Sequence, residues 1–146
     1  MKNSDIIDRL LQTLINISGR KTTGGYAVSV MDSTINKLQS QYDFLKHIEI
    51  RDTRYVEDSN SISVMSDINS IPAENVGKAL RDIISTVNQT LGRDAGHFFI
   101  REISSTLGDD YTSVMKDMGV DLGLMQLEHE VSELEKRIST IKKTRK

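Results

Sequence analysis

Three histidines, two adjacent carboxylate pairs and a glycine-rich basic stretch are the groups of this 146-residue chain whose types could do chemistry. Imidazole titrates near neutral pH and ligates metals, so each histidine is a candidate acid–base or metal group. His47 stands beside Glu49 on the polar side of an alternating stretch. His97 shares a polar stripe with Asp94 and Arg101, away from Phe98 and Phe99. His129 has Glu133 one helical turn on. None of the three has two more ligands at helical spacing, which a metal site needs, so all three are expected to be solvated surface residues.

The pairs Asp109-Asp110 and Glu57-Asp58 do not single out acid–base work either. The first begins a helix, where carboxylates cap free amides and complement the dipole, and the second falls in a polar loop. Residues 19–25 bring Arg20, Lys21, Thr22 and Thr23 between glycines, which suggests a phosphate cradle. A phosphate-binding loop follows a strand and carries its lysine after the last glycine, whereas this stretch joins two helices. It reads as a turn. No nucleophile elbow, HExxH, EF-hand or dinucleotide fingerprint occurs. No catalytic residue, cofactor or metal is therefore assigned.

Composition narrows the class. With no cysteine, the chain has neither disulfides nor thiolate chemistry. It is 37% hydrophobic and 27% charged with a net charge of −2, which suits one folded domain rather than a disordered chain. No apolar run reaches the roughly 18 residues of a membrane span, and the polar start Met1-Lys2-Asn3-Ser4-Asp5 lacks a leader, so a cytoplasmic protein is expected. No segment carries the basic field of a nucleic-acid footprint.

The elements follow from periodicity. Ile6, Ile7, Leu10, Leu11, Leu14 and Ile15 share one helical face over 4–17, with Gly19 as the stop. Ala27, Val30, Met31, Ile35 and Leu38 mark a second helix to about residue 41. The period then drops to two over 44–52 and 61–68, which predicts a hairpin with a long polar loop at 53–60. Pro72 opens a third helix bearing Val76, Leu80, Ile83, Ile84, Val87 and Leu91. Asp94 is expected to cap a fourth with Phe98, Phe99, Ile100 and Ile103, and a short helix follows from Asp109 to Gly119.

The last segment has the plainest pattern. Leu124, Leu127, Val131, Leu134, Ile138 and Ile141 alternate three and four apart, a heptad seam with Leu124, Val131 and Ile138 at a and the others at d. Met125, at b, adds an apolar residue off the seam, so this helix should begin against the body and then leave it. Charges beside the seam bear on orientation. A parallel pair sets Glu130 against Glu135 and Arg137 against Lys142. An antiparallel pair sets Glu128 against Lys142 and Glu130 against Arg137, and leaves Glu135 facing its own copy. The seam's β-branched a positions favour a parallel dimer, so the two signals conflict; charge is taken to decide for antiparallel.

The sequence thus predicts a predominantly helical α+β fold: a helix-rich domain over 1–119 with one β-hairpin, and a coiled-coil-like association helix with a basic tail over 120–146. The expected function is a non-enzymatic, self-associating regulatory or adaptor module whose partner is a second copy or another helix. The alternative is a dimeric winged-helix-like DNA-binding regulator, against which stand only two helices before the hairpin and little basic charge on the second helix. A third reading is an enzyme that gathers carboxylates and histidines from distant segments.

Overall fold

A computed structural model describes residues 1–51 and 62–144, with side chains to residue 139. The predicted polar loop, with Glu57 and Asp58, lies outside the described residues. The fold is predominantly helical α+β. In order it comprises α1 (Asn3–Lys21), α2 (Gly24–Leu38), β1 (Ile48–Ile50), β2 (Ile62–Val64), α3 (Ala73–Leu91), α4 (Phe99–Leu107), α5 (Asp109–Asp117) and α6 (Leu122–Thr144).

α1 is the central element. Ile6, Ile7, Leu10, Leu11, Leu14 and Ile17 are all fully buried, and α2, α3, α4 and the hairpin pack around it. It runs four residues past the predicted end. Gly19 stays helical and does not stop α1; a β-carbon there would stand in ordinary contact with the Gly24 backbone. The inter-helix turn shrinks accordingly, and Thr23 caps α2 by accepting a hydrogen bond from Tyr26 N at 3.2 Å.

β1 and β2 pair antiparallel with Glu49 opposite Ser63, and Ile48 and Ile62 turn into the core. Each strand holds three residues, because 3-10 turns over Asp43–His47 and Ser66–Ser70 occupy the flanks where alternation predicted strand. α3 begins after Pro72 and ends at Gly92, which takes φ +56°.

The start of α4 differs from expectation. Asp94 does not cap it: a 3-10 turn over Gly92–Ala95 and a left-handed Gly96 delay the helix to Phe99. Phe98 therefore lies outside the helix and half exposed, while Phe99, Ile100 and Ile103 are buried as predicted. Among the described residues no helix is long and apolar enough to cross a membrane.

Candidate functional site

α6 is where the sequence pattern and the surface meet. A helix turns about 100° per residue, so Leu122, Met125, Gln126, His129 and Glu133 share one side, and the seam residues share the opposite side. The structure uses both sides. Leu122, Met125 and Gln126 are buried against α4, and His129 and Glu133 are half-buried. The seam points away: Leu124 is 52% exposed, Leu127 56%, Val131 48%, Leu134 56% and Ile138 45%. Ile141 continues the seam on the helical backbone, with its side chain outside the described residues. From Val131 to Ser139 every side chain except Glu133 is exposed, so the second half of the helix leaves the body, as Met125 implied.

Gln126 anchors the supported half. Its Nε2 donates to the His97 carbonyl and its Oε1 accepts from the Arg101 amide, both at 3.1 Å. Arg101 N is one of the first-turn amides of α4 that have no carbonyl partner within their own helix, and Phe98 supplies no side-chain cap. Gln126 thus caps α4 from another helix. At heptad position c it looks like a solvated polar residue, and nothing in the local pattern marks it.

The same geometry corrects the reading of His129, which is half-buried, while His97 is exposed as expected. Position f is outermost relative to the seam, but here it is the side that meets the body. His129 Nδ1 and Asn88 Nδ2 are 3.3 Å apart, within hydrogen-bond distance across α6 and α3. The His97 and His129 rings approach to 6.2 Å between centroids, and His97 packs edge-on against Phe98 at 5.5 Å rather than turning away from it. His47 ends a 3-10 turn, and its carbonyl accepts from Met65 N at 3.0 Å.

Between the outer side of α3 and the flank of α6 lies an open groove of about 1040 Å³. Arg81 and Asn88 line one wall and Glu128, His129 and Lys136 the other, with His97 also in the lining. Its charges are mixed: Lys136 pairs with Glu133 at 3.7 Å, and Asp82 accepts from the Tyr42 hydroxyl. Among the described residues no group of three His, Asp or Glu is placed to hold a metal ion. In the basic stretch Lys21, the last residue of α1, pairs its Nζ with Glu102 at 2.7 Å and ties α1 to α4.

Of the charges flanking the seam, Glu128, Glu135 and Arg137 are exposed and Glu130 is half-buried; Lys142 lies on the helical backbone of α6. No protein-family model matches the chain, and no curated protein or solved structure matches it significantly.

Proposed function

We propose that this chain is a non-enzymatic interaction module that associates with itself through α6, a cytoplasmic regulatory or adaptor protein whose body holds the helix out. One observation carries the reading: five large apolar side chains in heptad spacing stand about half exposed along one side of a helix whose other side is docked only over its first half. A monomer would leave them in water. Burying each is worth up to roughly 1.5–3 kcal/mol, enough to support association. The second half of α6 gains little from the body, and a helix segment of that length is marginal alone in water. A partner helix supplies the missing contacts.

The test is Leu134→Asp. Its side chain faces solvent, so the body is expected to keep its fold and helix signal while the assembly dissociates to monomer. An unchanged assembly would refute the seam as the interface.

A further inference from the structure

We infer that two copies of α6 pair antiparallel, in a register where Asp121 of each copy meets Lys142 of the other. The inference rests on the self-association proposed above and adds its geometry. The six seam residues match themselves end to end when Val131 faces Leu134 of a second copy. Leu127 then faces Ile138, and Leu124 faces Ile141. Each a position meets a d position, as an antiparallel pair requires, and no seam residue is left over.

This register fixes the flanking charges. On the g side Glu130 lies beside Arg137 of the second copy, at both symmetry-related places. On the e side the series reads Glu128, Glu135 and Lys142, with Asp121, the residue just before α6, seven residues ahead of Glu128. Lys142 comes level with Asp121, one heptad before Glu128. In this register Glu128 falls beside Glu135, whereas the pairing read from the sequence sets Glu128 against Lys142. Four contacts are attractive and two repulsive. A parallel pair in heptad register brings Glu130 to Glu135 and Arg137 to Lys142, four contacts that are all repulsive.

The structure adds two reasons. Asp121 is held in place: its Oδ1 accepts from Leu124 N at 3.1 Å, which fixes the carboxylate at the start of α6. The body also supports α6 unevenly. It docks the first half on the side opposite the seam and leaves the second half bare. Antiparallel pairing lays each bare half along the braced half of the other copy, with the two bodies outside at opposite ends. Parallel pairing would leave the two bare halves to hold only each other.

The chain has no native cysteine, so disulfide trapping gives a clean test. Leu124→Cys and Ile141→Cys chains are purified reduced, mixed and oxidised. The inference predicts the mixed disulfide as the main product, with little self-crosslinking of either variant alone. Efficient self-crosslinking of each variant would mean parallel pairing and overturn the orientation while leaving self-association intact. Failure of all crosslinks in a chain that runs as a monomer would overturn both. A second measurement addresses Asp121. Asp121→Asn keeps a capping oxygen and removes the charge, and Lys142→Gln removes the other partner. Each should raise the dimer Kd about 2- to 10-fold at low salt, and the double variant should add little beyond either single one. Fully additive effects would show that the two residues do not meet.

Discussion

Gly77 and Met118 meet backbone to backbone: the Met118 carbonyl occupies the space that a β-carbon on residue 77 would need. Gly77 sits inside α3, where glycine is otherwise unfavourable by about 1 kcal/mol relative to alanine. Its presence lets the chain between α5 and α6 press directly onto α3, which sets where α6 starts.

Gly77→Ala should therefore destabilise the fold despite the gain in helix propensity. The displaced atom is a backbone carbonyl that cannot rotate away, so a net loss of about 1–3 kcal/mol is expected. Urea unfolding followed by far-UV circular dichroism measures it. Equal or greater stability would show that the α5–α6 connection yields easily.

Gln126→Ala should loosen the docked half of α6. It leaves the Arg101 amide and the His97 carbonyl without the partner they now have. The expected cost is about 1–3 kcal/mol. Hydrogen exchange should speed at the first turn of α4 and the first half of α6, with α1 protected as before. Unchanged exchange at Arg101 would show that the cap is dispensable.

The Tyr42 hydroxyl donates to Asp82, and this hydrogen bond, followed by desolvation, raises the Tyr42 pKa above its ordinary value near 10. The folded state thus holds the phenolic proton more tightly than the unfolded one. Its stabilising effect is complete below the ordinary tyrosine pKa and is lost as pH rises through the raised one. Tyr42→Phe should cost on the order of 1 kcal/mol near neutral pH and progressively less above about pH 10. A difference that stays constant across that range would argue against the hydrogen bond as its source.

Duplex DNA should remain unbound at about 150 mM salt, because the chain carries a net charge of −2 and only α1 and α2 precede the hairpin. A mobility shift that survives unlabelled competitor at that salt would favour the winged-helix reading instead.

Much of the architecture is legible in the periodicity. The six helices and the hairpin pairing follow from the three-to-four and two-residue repeats, because burial on one side is what those repeats encode. Boundaries are less legible. Asp94 looks like a cap, but Gly92 and Gly96 adopt left-handed backbone on either side of it and break the chain before a helix can start. The seam is legible as a pattern, whereas the docked side of α6 is not. Gln126 and His129 bind to backbone and side-chain groups 25 to 41 residues away, and no local pattern carries such information. Leu122 and Met125, apolar where the heptad calls for polar residues, are the local clues to that second face.

The most direct test of the central claim is the molar mass of the native chain, measured by light scattering across a size-exclusion peak at micromolar concentration. Self-association through α6 predicts about twice the chain mass of 16.4 kDa, shifting toward the chain mass on dilution. A single species at the chain mass throughout, with α6 still fully helical by hydrogen exchange, would contradict it.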